Sequence, residues 1–406
     1  MEIVIQKFGG TSVKDVAARK QALVHVKYAV DHGKKVVVLV SAFREPGASY
    51  TTDGLLNLVH NNQSRLSKRE LDMLVSVGKI VSATVFTEQA CEAGLDATAL
   101  TGSEAGIVTD DEFQNAKILN VDPTPIKKMF KKTNVVVVAG FQGATKDGEI
   151  TTIGRGGSDV SAAVLGMALN AELVDIFTDV SGIMTADPQL VKRARCLKSI
   201  SYDELANLAH NGARVIHPRA VEVAKQANLS MRIRATYQQP EELGTIVGER
   251  NPHIFHYRTV TGITNQNNLT QFSVSTENLT SGQIFQLMAA QNLSIDFINI
   301  STDSVVFNLP QMDTWLAEKT LATAHANYRM VSDCAKVAIV GAGITGTPGI
   351  TARIVNTLAK HHIDILQSTD SYTTIWVLIH KTDLTAALNS LHDEFLQSHQ
   401  FTLTQQ

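Results

Sequence analysis

Within Thr151–Asp159 (Thr-Thr-Ile-Gly-Arg-Gly-Gly-Ser-Asp) three glycines stand in four positions around one arginine. Backbone without Cβ atoms can approach a ligand closely. The Ser158–Asp159 pair then opens a helix expected over residues 158–170, with Ala162, Ala163, Leu165, Ala168 and Leu169 available for packing. A glycine-rich turn feeding a helix start offers free N–H groups and the positive end of the dipole, which favours an anion. Arg155 adds a planar cation that can fork onto a carboxylate or a phosphate. The plainer alternative for this stretch is an ordinary loop-to-helix turn.

Two further clusters suit the same chemistry. Lys7, followed by Gly9, Gly10, Thr11 and Ser12, sets a cation beside a backbone nest able to bridge phosphates. Thr178-Asp179 closes an apolar run and suits either a ribose or metal-bound phosphate, or a simple turn with an Asp cap. The sequence contains no Gly-x-x-x-x-Gly-Lys-Ser/Thr, so any nucleotide is not held by a Walker-type loop.

The elements that must position these residues can be read from hydrophobic pattern. Glu2–Gln6 is a short apolar strand leading into Lys7, and a helix follows to about His32 with Val16, Leu23, Val26 and Val30 near helical spacing. Lys35–Ala42, Val135–Phe141 and Leu173–Thr178 are nearly continuous apolar runs, the signature of strands covered on both faces. Helices are expected near residues 68–93 and 114–131. Strands alternating with helices imply an α/β fold, a mostly parallel sheet in a three-layer sandwich. Ligands on such sheets sit at the carboxyl ends of strands. Lys7–Ser12, Ser41 and Thr178–Gly182 all lie at such ends, so a single site assembled from several strands is expected.

Length and composition bound the answer. At 406 residues the chain suggests two or three domains. Hydrophobic content of 44% and charged content of 18% describe a soluble globular protein, and a net charge of −3 gives no reason to expect nucleic acid or an anionic membrane. No apolar run reaches the length of a membrane span, and the first residues enter a strand without a signal peptide. Cys91, Cys196 and Cys334 are few and far apart, suggesting neither a zinc site nor a disulfide framework. A cytoplasmic protein is expected.

Four motifs occur in one order: Lys7-Phe8-Gly9-Gly10-Thr11-Ser12, Thr151–Asp159, Phe177-Thr178-Asp179-Val180-x-Gly182 and Gly212-Ala213-Arg214-Val215-Ile216-His217-Pro218. Together they resemble the aspartate kinases of the amino acid kinase family, most closely the single-function enzymes of bacilli. The resemblance covers essentially the whole chain. It implies transfer of the ATP γ-phosphoryl group, with Mg2+, to the β-carboxylate of L-aspartate. Lys7 and Asp159 would be catalytic. Ser41, Thr52, Arg155, Gly156 and Ser158 would meet the acceptor, with Arg155 clamping its α-carboxylate. Lys7, Gly9, Gly10, Ser12, Thr178, Asp179, Gly182, Met184, Arg214 and Val215 would face the nucleotide. No general base is required, because a carboxylate is already a nucleophile.

Three positions depart from the family pattern. Where the family has Gly-Glu, with the glutamate receiving the substrate ammonium, this chain has Gly78-Lys79. A cation cannot pair with an ammonium, and two like charges repel strongly when desolvated. Either the neighbouring Asp72 or Glu70 could take over, or Lys79 could swing out of the pocket. Gln189 stands where arginine is usual, and Arg214 where lysine is usual. The second swap keeps the charge but changes its shape.

Beyond a linker expected at 246–258, two segments share a strand–helix–strand–strand pattern. The first has Leu269–Ser275, a helix near Ser281–Gln291, Ile295–Ile300 and Ser304–Asn308; the second has Ala335–Val340, a helix near Gly349–His361, Ile363–Ser368 and Thr374–His380. This repeat is similar to tandem ACT domains, ferredoxin-like α+β modules that bind amino acid effectors. The expected division is a kinase domain over 1–245, one module over 259–334 and a second over 335–406. An early strand, Thr259–Thr264, is expected to pair within the second module. Asp296, Asn299, Ser368 and Asp370 are the effector-site candidates, with Ile344, Thr345 and Pro348 in a glycine-rich loop. Lysine, threonine or diaminopimelate would be the effector, and the modules would join two copies as a homodimer.

Gly341-Ala342-Gly343-Ile344-Thr345-Gly346 also fits the dinucleotide fingerprint Gly-x-Gly-x-x-Gly. Too few residues follow it for a doubly wound half-domain pair, and Pro348-Gly349 delays the next helix. Three other readings stand beside the kinase: a weakened homologue that senses an amino acid, a kinase for another small carboxylate that pairs with Lys79, and a dehydrogenase.

Overall fold

The structure, a computed structural model, describes residues 2–43, 50–60, 63–213, 215–249 and 259–397. Arg214, residues 250–258 of the expected linker and residues 398–406 of the expected second module lie outside the described residues. Of those described, residues up to Ile183, Cys196–Ala209 and those from Val215 to Glu249 form one compact unit. Met184–Arg195, His210–Ala213 and the residues from Thr259 onwards form the other.

In the first unit the chain runs through β1 (Ile3–Phe8), α1 (Val16–Asp31), β2 (Lys35–Val40), α2 (Thr52–Asn57), α3 (Lys68–Glu92) and β3 (Ala97–Leu100). It continues with β4 (Ile107–Thr109), β5 (Ile118–Val121), α4 (Thr124–Met129), β6 (Val135–Ala139), β7 (Gln142–Ala144) and β8 (Ile150–Thr152). Then follow α5 (Gly157–Leu169), β9 (Leu173–Thr178), β10 (Ser199–Ser201), α6 (Tyr202–His210), α7 (Pro218–Gln226), β11 (Met231–Ala235) and β12 (Thr245–Gly248). Eight strands form one sheet in the order β10-β12-β11-β9-β1-β2-β6-β3. Every neighbouring pair is parallel except β11 with β12.

Alternate side chains of this sheet go to opposite faces. Val36, Val38 and Val40 of β2 and Val135 and Val137 of β6 pack with Leu23 and Val26 of α1 and Phe86 of α3. On the other face α5 lies so close that a Cβ on Gly166 would come 2.6 Å from Val174 and 3.6 Å from Ile5. Helices on both faces make the three layers, and explain why the central strands are apolar throughout.

One expected helix is corrected. Residues 114–131 do not form a single helix: Ile118–Val121 is a strand, and only Thr124–Met129 is helical. Pro123 biases Asp122 towards extended backbone and stands at the N-cap of the short helix, with Pro125 in its first turn, so the run is broken before Thr124. The strand joins a small sheet of order β5-β4-β7-β8 that the sequence pattern did not reveal.

The second unit contains β13 (Gly262–Ser275), α8 (Ser281–Ala290), β14 (Asp296–Ile300), β15 (Ser304–Pro310), α9 (Thr314–Thr323) and β16 (Tyr328–Val340). It ends with α10 (Ile350–Lys360), β17 (Gln367–Asp370), β18 (Thr374–His380) and α11 (Leu384–His392). The six strands form one sheet, β14-β15-β13-β16-β18-β17. Residues 262–264 of the expected strand 259–264 and the whole of 269–275 are parts of one long strand, bulged around Leu269, whose early half pairs with Lys336–Val340; residues 259–261 precede it. Two apolar cores result. Phe272, Phe307, Ile284 and Leu321 fill one, and Ile339, Val377, Ile354 and Leu388 fill the other together with Ala186 and Val191.

Strand β16 is antiparallel to both its neighbours, β13 and β18. The dinucleotide fingerprint needs a parallel strand–helix–strand unit, so Gly341–Gly346 is not one. Ile344 is instead buried in the core beside α10. Among the described residues no helix is long and apolar enough to cross a membrane.

Candidate active site

A cavity of about 290 Å3 opens in the first unit, at the carboxyl ends of β1, β2 and β6 and the start of α5. Lys7, the next-to-last residue of β1, places its Nζ 2.7 Å from Asp159 Oδ1. Both side chains are largely buried, at 12% and 11% exposure, which strengthens their attraction relative to a surface pair. The other Asp159 oxygen accepts the backbone N–H of His217 at 3.2 Å. Asp159 thus fixes Lys7 while standing in the first turn of α5, where the dipole favours its charge.

Two glycines bring that helix start to the cavity. Gly156 has φ +74°, and a Cβ there would come 2.2 Å from the His217 ring. Only glycine meets both demands. A Cβ on Gly157 would come 3.0 Å from Ile153 and from Phe141. Ser41, just past β2, donates its hydroxyl to Ser158 Oγ at 3.2 Å, and joins Ser158 and Gly10 in the cavity wall.

Lys79 enters from α3, whose buried face carries Asp72, Ser76, Lys79, Ala83 and Phe86. A Cβ on Gly78 would be 2.6 Å from the Tyr50 carbonyl, so α3 lies hard against the segment entering α2. Lys79 therefore reaches Thr52, donating to its Oγ1 at 2.9 Å, and its Nζ lies 4.1 Å from the centre of the Phe141 ring. Burial pushes its ammonium down to about 8, and the Asp53 carboxylate partly opposes this. Phe141 has φ +75°, a strained backbone for an aromatic residue.

The neighbouring carboxylates are engaged elsewhere. Asp72 accepts from Thr152 N–H at 2.7 Å, from Thr152 Oγ1 at 2.6 Å and from Gln114 N–H at 2.9 Å. Glu70 is bound to Ser67 and to Arg69 on the surface. The expectation that either replaces the missing glutamate is corrected: the carboxylates that share the cavity with Lys79 are Asp53 and Asp159, and Asp159 is already paired with Lys7.

Lys7, Gly10, Ser41, Thr52, Lys79, Gly156, Ser158 and Asp159 surround one cavity. Other expected site residues stand apart from its wall. Arg155 is exposed on the turn before α5. Gly9 donates its N–H to the Phe177 carbonyl, and Ser12 is buried beneath Thr236. Thr178 and Asp179 end β9, with Thr178 Oγ1 donating to Asp179 Oδ1 at 3.1 Å. Gly182 has φ +152°, and a Cβ there would come 2.5 Å from Thr245 Oγ1. Val215 belongs to the first unit and Met184 to the second. Sequence reasoning missed Phe43, Asp53 and Phe141. Thr51 caps α2 by accepting Gly54 N–H at 3.0 Å, and that Thr-x-x-Gly start was the only signal for Asp53.

The effector candidates lie in the second unit. Asp296 pairs with the buried Lys336, and Asn299 is exposed further along β14. Ser368 and Asp370 are exposed on β17. Gln367 Nε2 donates to the Phe297 carbonyl at 2.5 Å, tying these two edge strands together. Thr345 donates to the Tyr372 carbonyl, and Pro348 is exposed in the same loop.

Residues 2–235 match the amino acid kinase family, and residues 329–393 match the ACT domain. Aspartokinase 1 of Bacillus subtilis is 46% identical over 404 residues, 97% of this chain and 99% of that protein. The fold is shared with E. coli aspartokinase III in complex with aspartate and ADP, at TM-score 0.80 and 24% identity over 98% of this chain and 100% of that one. It is also shared with the same enzyme in complex with lysine and aspartate, at TM-score 0.75 and 24% identity over the same shares. The chain belongs to the amino acid kinase family, and within it to the aspartokinases that carry ACT domains.

Proposed function

We propose that the protein transfers the γ-phosphoryl group of ATP to the β-carboxylate of L-aspartate, giving 4-phospho-L-aspartate. This is the entry step towards lysine and diaminopimelate, threonine and methionine. One observation carries the reading: a buried cation, Lys7, fixed by Asp159 at 2.7 Å beside the glycine turn that opens α5. Phosphoryl transfer asks little covalent chemistry of a protein and much positioning and charge stabilisation. Lys7 Nζ faces the charge that spreads over the transferring group, while Asp159 holds it in place rather than acting as a base. The α5 start and the Ser41–Ser158 hydroxyls offer donors to the phosphoryl oxygens or to the acceptor.

Arg155, on the turn before α5, is the clamp for the acceptor α-carboxylate, and Thr52 and Gly156 line the acceptor's place. Gly9, Gly10 and Ser12 serve the phosphates, and Thr178, Asp179, Gly182, Met184, Arg214 and Val215 the remainder of the nucleotide. Among the described residues no cluster of three His, Cys, Asp or Glu could hold a metal. Mg2+ therefore fits as part of the nucleotide complex, bound chiefly by phosphates and water, where it neutralises phosphate charge. The ACT modules, 259–334 and 335–406, take an amino acid effector near Asp296, Asn299, Ile344, Thr345, Pro348, Ser368 and Asp370. Lysine, threonine and diaminopimelate are the effectors to test. The modules join two copies, and the enzyme works in the cytoplasm.

Calorimetric titration tests the assignment of Arg155. ADP with Mg2+ is expected to bind the full chain, and L-aspartate to bind that complex. Arg155→Ala is expected to weaken L-aspartate by about tenfold or more, the scale of a lost charge-assisted pair, and to leave ADP within about twofold. Equal loss of both ligands would remove Arg155 from the acceptor's place.

A further inference from the structure

The turn Gly10–Ser12 and the end of β9 are held together by a residue that no motif contains. Thr236 follows β11 and is 6% exposed. Its hydroxyl donates to Ser12 Oγ at 2.6 Å. Its backbone N–H donates to the Thr178 carbonyl at 3.1 Å. Its own carbonyl lies 2.9 Å from His25 Nε2 on α1. One residue thus joins the glycine turn after β1, the Thr178 end of β9 and the helix behind them.

We infer that Thr236 is a positioning residue for the nucleotide: it sets the separation between the Gly10–Ser12 backbone and the Thr178–Asp179 pair. This rests on the nucleotide reading of those two segments given above. The surroundings make the tie rigid. Phe8 and Phe177 stack at 4.5 Å, and the His25 ring lies 4.5 Å from Phe177 on its other contact. The partner of His25 Nε2 is a carbonyl, so that nitrogen carries the proton and donates. Burial, aided by the neighbouring Arg234 and Arg232 guanidinium groups and opposed by the bond to the Thr236 carbonyl and by Asp175, brings the His25 pKa down to about 4. The ring stays neutral at ordinary pH, and its contact with Thr236 does not switch. Loss of the Thr236 hydroxyl would leave Ser12 without this donor and free the turn to drift. A positional error of this kind acts on the ligand that spans both segments, and spares one that touches neither.

The test uses the full chain and three proteins: the parent, Thr236→Val and Thr236→Ser. Valine keeps the branched shape and removes the hydroxyl, whereas serine restores it. Titration with ADP and Mg2+ is expected to show about tenfold weaker binding for Thr236→Val and recovery to within about twofold for Thr236→Ser. L-aspartate affinity is expected to stay within about twofold in both. The inference is overturned if Thr236→Val binds ADP as tightly as the parent, or if ADP and L-aspartate weaken by the same factor, the mark of a general loss of fold. If the parent itself binds no ADP, the nucleotide reading fails and the inference with it.

Discussion

Lys7→Met is expected to lower the rate of acyl-phosphate formation by about two to three orders of magnitude, the cost of removing one preorganised donor from developing charge. The reason lies in the 2.7 Å pair with Asp159. Asp159 holds the ammonium in a largely buried place, so no water or mobile side chain can reproduce it. The same change leaves the Asp159 carboxylate buried without its cation, which costs about 3–5 kcal/mol of stability. The double variant Lys7→Met with Asp159→Asn separates the two effects. It is expected to regain most of the lost stability in a denaturant titration and none of the lost rate. Recovery of rate in the double variant would mean that Lys7 matters for folding and not for the transferring group.

Lys79 gives the second large effect. Its pKa is about 8 in the folded protein against 10.5 ordinarily, because burial penalises the ammonium. Between those two values the unfolded chain holds more protons, so stability rises with pH across that window. Below pH 8 the penalty is complete, on the order of 3 kcal/mol at about 1.4 kcal/mol per unit. Lys79→Met is therefore expected to stabilise the protein at neutral pH and to flatten this pH dependence in thermal unfolding.

The same charge acts on the acceptor. Lys79 shares the cavity with Lys7, Asp53 and Asp159, and of these Asp53 is the carboxylate that holds its ammonium up. An acceptor ammonium brought beside it meets repulsion until Lys79 loses its proton. KM for L-aspartate is expected to fall as pH rises through about 8, while KM for ATP stays level. Lys79→Glu should abolish the trend and lower KM by about tenfold or more, since a repelling pair becomes an attracting one. Steady-state rates across that pH range check this. A flat profile in the parent would place the ammonium away from Lys79.

The parallel sheet was legible in the sequence because its valine-rich strands, Lys35–Val40 and Val135–Ala139, are buried on both faces and so carry no polar alternation. The glycine turn before α5 was legible for a related reason: Gly156 faces a ring that leaves no room for a Cβ. What failed was mostly tertiary. β5 has only four residues, partly exposed, and no pattern of its own. Strands β13 and β16 each serve two cores, so a boundary placed between residues 334 and 335 runs through the middle of β16. The kinase-like stretch Met184–Arg195 folds into the second unit, where Ala186 and Val191 join an apolar core.

Among the expected site residues, Lys7, Ser158 and Asp159, drawn from two separate motifs, line one cavity. Ser12 belongs to the same motif as Lys7, yet its hydroxyl turns inward to Thr236. A motif gives residue order, and side-chain direction depends on a partner 224 residues away. Phe141 had no sequence signal at all, since its role follows from a positive φ that aims its ring beneath Lys79.

The most direct test is hydroxylamine trapping of acyl phosphate from L-aspartate and Mg-ATP, with the chain as it stands beside Lys79→Glu. The expected result is aspartyl hydroxamate from both proteins, with Lys79→Glu needing less L-aspartate to reach half its maximal rate. Absence of hydroxamate from both, while ADP and an amino acid effector still bind, would contradict phosphoryl transfer to L-aspartate as the protein's activity.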